Sequence, residues 1–413
     1  TAQDTDDTTT SVHGDVTITG PVLLGANITI DTDSAGNNGD VTMTSTVLSS
    51  TDNGARTLTI KSGTGPVNIG GTIGGTDLRH LGALTINSTD GTANSGTIEV
   101  ADIGVSSTNG GVDGNVIIGN ANTSMITFDG ALYSIGGTGN LTVQSASGEK
   151  IKFTKGDATV NIHTTGSDSG DVTFEDGSIQ LANGTPLSIA TLGGFVNIHS
   201  VYAVDNADED LTINVNHHAT ATDSDAENEE TITIGAIGSG DEIGAVTLTG
   251  ADGITLTGNI ALSNVAGSDL DINGKVFISG DVTIDTDNDD HDGTINFSST
   301  IDGVSGSPDD DLIILAGDSS NNSNGVGQGG SLTLTGTIGG TQALTTLQIN
   351  AGAGNGDITF TIPQVGNGSG GQGVTGAVTL GNTGSGDITF SGASTTAFDI
   401  GGKLTVTSDG GAD

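Results

Sequence analysis

The chain has 413 residues and sets 8 Lys and Arg against 50 Asp and Glu, a formal net charge of −42. That balance excludes nucleic-acid binding, since neutralising phosphates needs cations the chain lacks, and an anionic membrane surface would repel it. Gly is 70 residues, Pro only 5, and Cys and Trp are absent, which excludes a collagen helix, thiol chemistry and Cys-ligated metal centres.

High charge and few aromatics also fit a disordered chain. The apolar pattern argues against it. Val, Ile and Leu fall in short runs that alternate with Thr, as in Val16-Thr-Ile18, Leu58-Thr-Ile60, Leu332-Thr-Leu334 and Leu404-Thr-Val406. Alternation with period two is the mark of a half-buried strand. No apolar run reaches the ~18 residues of a spanning helix, so no membrane insertion is expected.

In chain order, residues 1–13 form a polar, acidic, Thr-rich arm. Thr1 is not an initiator Met, which suits a processed, exported chain with its signal peptide removed, and suits a fragment boundary equally. From Gly14 to residue 413 the reading is one continuous β-solenoid. A Gly-Asp pair opens strand after strand, at Gly14, Gly39, Gly170, Gly280, Gly356 and Gly386, and Gly-Ala does so at Gly82, Gly244 and Gly376. Gly is expected to supply a positive φ, and Asp to hydrogen-bond the backbone just beyond it. Helix signals are missing. Residues 219–230 and 317–330 read as polar loops.

The chain also repeats itself. Ile28-Thr-Ile-Asp-Thr-Asp33 returns as Val282-Thr-Ile-Asp-Thr-Asp287, and Gly39-Asp-Val-Thr-Met43 as Gly293-Thr-Ile-Asn-Phe297. Thr72-Ile-Gly-Gly-Thr76 returns as Thr337-Ile-Gly-Gly-Thr341, and Leu84-Thr-Ile-Asn87 as Leu347-Gln-Ile-Asn350. This divides the solenoid into a first repeat block, 14–271, and a second, partial block, 272–413. Self-similarity of this kind marks stacked repeat units. The predicted fold is all-β, a right-handed parallel β-helix with inserted loops; tandem β-sandwiches are the alternative. A coil of about 20–25 residues would give roughly 16–20 coils.

These strand motifs, from Ile28-Thr-Ile-Asp-Thr-Asp33 through Gly71-Thr-Ile-Gly-Gly-Thr76 to Leu84-Thr-Ile86, resemble the repeats of filamentous-haemagglutinin-like adhesins and other large bacterial surface proteins. The resemblance covers residues 14–100 and 272–395. It implies a β-helical shaft, export to the cell surface and a role in adhesion or matrix building. The N-terminal secretion-partner domain of two-partner adhesins is not recognisable here.

Asp-rich turns are the recurring polar feature. Calcium takes six to eight oxygens, and Asp at alternate positions can aim several carboxylates at one point. The candidate calcium ligands are Asp285, Asp287, Asp289 and Asp292, with Asp31 and Asp33 in the earlier copy. Asp290 and Asn296 break the EF-hand pattern where Gly and a closing Glu belong, so solvated turns are the competing reading. Asp309, Asp310 and Asp311 form another acidic turn, and His217 and His218 stand near Asp223 and Asp225. The one basic cluster is Lys150, Lys152 and Lys155. No catalytic spacing is found, so no enzyme is expected, although a carbohydrate-active β-helix enzyme is an alternative. The expected partners are other copies of the chain, joined head to tail into a fibre or matrix, and surface glycans. An S-layer-like lattice is the remaining structural alternative.

Overall fold

The computed structural model describes residues 14–33, 38–50, 56–75, 79–87, 95–108, 110–165, 170–204, 209–216, 230–263, 265, 267–286, 293–306, 309–316, 331–350, 360–368, 373–382, 387–391 and 398–408. The arm at 1–13 and the loops at 219–229 and 317–330 lie outside them. The described residues form 36 short strands and no helix, so none long and apolar enough to cross a membrane. Contacts group the chain into two units, Thr1–His199 with Asn214–Glu230, and Ser200–Ile213 with Thr231–Asp413. The units divide near residues 200–231, whereas the sequence repeat starts again at 272.

The first unit is a stack of three-sided coils. Its inward side chains line up, one per coil, in parallel register. One column runs Val16, Val41, Val67, Ile98, Ile126, Ile151 and Ile179. A second runs Ile28, Leu58, Leu84, Val116, Leu141, Val172 and Val196. The third runs Val22, Val47, Ile73, Ile103, Tyr133, Ile162 and Ile189. Leu81, Val112 and Ile135 add a short column at a corner. The reason is local. Alternation puts every second side chain inside, and β-branched residues fit a narrow interior. The outward positions carry Thr, as in the column Thr29, Thr59 and Thr85. Burying each such Val, Leu or Ile contributes about 1.5–3 kcal/mol.

The second unit is built the same way. Ile237, Ile260, Ile284, Ile314, Ile349, Leu380 and Val406 form one column. Ile232, Ile254, Val276, Ile301, Ile338 and Val365 form another. Val246, Leu270, Ile295, Leu332, Phe360 and Ile388 form the third. Among the described residues the pairings in both units are parallel. Tandem sandwiches, which are antiparallel, are therefore excluded. The fold is a β-solenoid, and parallel strands joined by short crossovers take the right-handed path.

Coils are longer than expected. Partners in the three main columns of the first unit lie 24 positions apart at the shortest, Val172 to Val196, and 32 at the longest, Leu84 to Val116. In the second unit the extremes are 22, Ile232 to Ile254, and 37, Ile295 to Leu332. The stack thus holds fewer turns than a 20–25-residue coil would give. The extra length sits in the connectors and in corners such as Leu81 and Val112, which carry no strand of their own.

The two sequence copies fold alike in detail. Thr32 Oγ1 donates to the Gly39 carbonyl at 2.7 Å, and Thr286 Oγ1 to the Gly293 carbonyl at 3.0 Å. Asn87 and Asn350 both adopt positive φ, 50° and 46°. Their side-chain oxygens accept from Ser62 N and Ala316 N, each at 2.8 Å. Their carbonyls accept from the amides of Asn120 and Asn382 respectively. Positive φ in a non-Gly residue is uncommon, and Asn tolerates it best. The same Asn in the same strained place marks a true structural repeat.

Bulky aromatics are few, and four of them gather in the first unit. Phe128 and Phe153 stack with centroids 5.0 Å apart; Tyr133 meets Phe128 edge-on at 4.8 Å, and Phe174 meets Phe153 at 6.1 Å. Tyr133 donates its hydroxyl to the Val100 carbonyl at 3.0 Å and accepts from Gly130 N at 2.8 Å, so its polar tip is satisfied in the core. Burial pushes its phenol well above the usual tyrosine range.

Candidate functional site

The recurring chemistry of this molecule is a seam of side-chain acceptors. An Asp or Asn often stands immediately before the first inward residue of a strand. Its oxygen accepts the backbone N–H at the same position one coil on. In the first unit Asp15 takes Asp40 N at 3.0 Å, Asn27 takes Thr57 N at 3.2 Å, and Asn115 takes Asn140 N at 3.1 Å. Asn140 then takes Asp171 N at 3.0 Å, and Asp171 takes Phe195 N at 3.2 Å. The second unit repeats the device with Asp210 to Ala245, Asn259 to Thr283 and Asp269 to Thr294, each at 2.8 Å. At corners one carboxylate holds two donors. Asp102 Oδ1 accepts from Ala131 N at 2.7 Å and Leu132 N at 3.0 Å; Asp302 Oδ1 accepts from Thr341 N at 2.8 Å and Gln342 N at 3.3 Å.

This corrects the expected role of the opener pair. At Asp15 and Asp171 the Asp bonds the neighbouring coil rather than the backbone just beyond itself. The Gly is required mostly by proximity. Among the described openers only Gly170 and Gly280 have positive φ, 125° and 82°. A Cβ on Gly39 would stand 2.6 Å from the Gly14 carbonyl oxygen, and one on Gly376 2.6 Å from that of Thr345. Backbone cannot yield there as a flexible side chain could.

The predicted metal ligands fall into two groups. Asp31 and Asp33 sit at the end of the strand Ile28–Asp31. Asp31 accepts from Asp33 N at 3.2 Å and lies directly opposite Lys61 in the next coil. Asp285 ends the strand Asp281–Asp285, between Ala261 and Leu315. Asp287, Asp289 and Asp292 lie outside the described residues, as do His217, His218, Asp223 and Asp225. Among the described residues no three His, Asp or Glu side chains gather closely enough to hold a metal ion. The turn at Asp309–Asp311 is not an open acidic cluster. Asp310 is buried and accepts from Gly280 N at 3.2 Å and Val304 N at 2.9 Å. Lys150 and Lys152 occupy outward positions of the strand Lys150–Phe153, in line with Ser178 and Gln180.

Three titratable groups were not singled out by the sequence. His80 is buried and its Nδ1 lies 2.9 Å from Asp113 Oδ1. Burial raises the Asp171 carboxyl above its ordinary value, against the pull of Phe195 N–H and the Asn140 amide. Burial lowers the His163 imidazole below its ordinary value. Between the lowered folded value and the unfolded value near 6.5, the unfolded chain holds more protons. Stability from His163 is therefore present above about pH 6.5 and falls as pH drops through that window. His163→Gln is expected to remove this slope. Urea midpoints of both proteins at about pH 7.5 and about pH 5.5 check it: the variant gains on the parent at the lower pH.

The end coils differ from the interior. Column residues inside the stacks are at most 5% exposed and most are 0–1%, as at Leu58, Leu84, Ile314 and Leu380, whereas Ile28 is 37% exposed, Leu404 43% and Val406 45%. Phe390, in the strand Ile388–Phe390, is 43% exposed. By its fold the chain is a β-solenoid repeat protein. No family model, no curated protein and no solved structure matches it.

Proposed function

We propose that this protein is a structural β-solenoid subunit of the cell surface or extracellular matrix, a shaft of the filamentous-haemagglutinin-like kind, which joins other copies head to tail. The observation that carries the reading is the parallel stack of coils itself, with Val, Leu and Ile columns running in register through each unit. Strand edges with exposed apolar columns template further strands, and a head-to-tail contact that does not close runs on into a filament. The seam supports the same reading, because its carboxylates and amides are spent on binding coil to coil. Surface glycans are the proposed contacts of such a shaft. Calcium is proposed for the loops closed by Thr32–Gly39 and Thr286–Gly293, whose flanks carry Asp31, Asp33 and Asp285. It would offset part of the −42 charge.

Sedimentation and negative-stain microscopy of the purified chain, with calcium and with a chelator, test the proposal. The expected result is concentration-dependent elongated assemblies that shorten on chelation. Discrete monomers at high concentration with calcium present would overturn it.

A further inference from the structure

Asn-Gly pairs are chemically labile. A glycine nitrogen has no Cβ beside it to shield it, so it can attack the side-chain amide of the Asn before it. Four such pairs fall among the described residues, at Asn38, Asn183, Asn273 and Asn367. The fold treats them differently. Asn273 ends the strand Leu270–Asn273, in register with Thr249. Gly39 N donates to the Thr32 carbonyl at 3.3 Å, a neutral acceptor that cannot keep a proton. At Asn367 the acceptor is a carboxylate. Gly368 N donates to Asp399 Oδ2 at 2.9 Å, while Asn367 Nδ2 donates to the Gly340 carbonyl at 2.9 Å. Asn367 and Gly368 are both exposed, so water reaches them. The turn has a coil on either side. Val365 bridges Ile338 one coil earlier and accepts from Asp399 N one coil later, at 3.0 Å. Gly366 and Gly368 take φ of 76° and 77°, the left-handed region that glycine enters freely. A Cβ on Gly366 would lie 2.7 Å from Asp399 Oδ2, so the bare backbone there admits the carboxylate. Asp399 is anchored in turn, its carbonyl accepting from Val374 N at 3.1 Å.

We infer that Asn367 is a self-modification site, converted through a cyclic imide to aspartate and isoaspartate with Asp399 as the base. Gly368 N gives its proton to Asp399 Oδ2 and bonds to Asn367 Cγ. The Cγ–Nδ2 bond breaks, and the nitrogen leaves as ammonia, taking that proton from Asp399. One water then opens the ring at either of its carbonyls, so the net change is one water in and one ammonia out. A base acts within about 2.6–3.2 Å of the atom whose proton it takes, and Asp399 Oδ2 stands 2.9 Å from Gly368 N. The product has no donor for the Gly340 carbonyl. It also sets a second carboxylate beside Asp399 in a chain already at −42, and like charges at close range repel. The brace between neighbouring coils is therefore lost one way, with age. This inference goes beyond the shaft reading and holds whether or not copies associate.

Peptide mapping of the full chain tests it, after incubation at neutral pH both folded and in concentrated urea. An isoaspartate methyltransferase reads the isomer that only the cyclic imide yields. In the folded chain Asn367 is expected to convert at least about tenfold faster than Asn38 and Asn273, the low side of what a placed general base contributes. In urea the three are expected to convert alike, since unfolding takes Asp399 away. Asp399→Asn removes the base but keeps an oxygen for Gly368 N, and is expected to slow Asn367 to the pace of Asn38. Should that variant fail to fold, Asn38 and Asn273 speed up in the same map, and the parent's own contrast between folded chain and urea decides. Conversion of Asn367 no faster than Asn38 in the folded parent overturns the inference. So does equally fast conversion with and without the Asp399 carboxylate in folded chains.

Discussion

Phe153→Ala is expected to lower the unfolding free energy of the first unit by about 3–5 kcal/mol, the range for deleting a fully buried aromatic ring. Phe153 is completely buried and is the only ring of its cluster that touches the other three, with centroids at 5.0 Å from Phe128, 6.1 Å from Phe174 and 6.5 Å from Tyr133. Ring pairs add about 0.5–1.5 kcal/mol each beyond area burial. The coils above and below are pinned by backbone ladders, so the space left behind cannot collapse. Phe153→Leu keeps most of the volume and should cost less. Urea unfolding followed by tyrosine emission reads the loss, since Tyr133 sits in the cluster. A loss below about 1 kcal/mol would mean that the interior repacks freely, contrary to the close packing such a core requires.

Asp102→Ala has the next largest expected effect, roughly 2–4 kcal/mol, because one substitution strands two part-buried donors, Ala131 N and Leu132 N. Asp102→Asn keeps the accepting oxygen and is expected to recover most of that loss. The contrast separates hydrogen bonding from charge. If relief of the −42 self-repulsion outweighed the lost hydrogen bonds, both variants would stabilise the protein. Thermal or urea midpoints at high and low salt decide the matter, since screening weakens only the charge contribution.

Much of the fold can be read from the chain itself. The Val/Ile/Leu–Thr alternation locates strands such as Val16–Ile18, Leu332–Leu334 and Leu404–Val406, and the doubled motif announces a stack of like units. Coil length is harder to read, because corner residues such as Leu81 and Val112 bury fully outside any strand. The site was less legible. The Asp or Asn before an apolar–polar–apolar triplet is visible at Asp15, Asn27, Asn140, Asp171 and Asp269. Its partner lies a whole coil away, so nothing in the local spacing reveals the bond. An acid-rich turn therefore looks like a metal site when, as at Asp310, it is a brace for backbone.

Coil length varies from 22 to 37 positions while the columns stay aligned, because side-chain acceptors re-phase many of the coils as they enter their next side. An insertion of several residues in one connector is absorbed within that turn and does not propagate. Such an architecture can acquire new surface peptides by simple genetic drift in its connectors. It would serve equally as a display scaffold on which foreign epitopes are grafted without redesigning the interior.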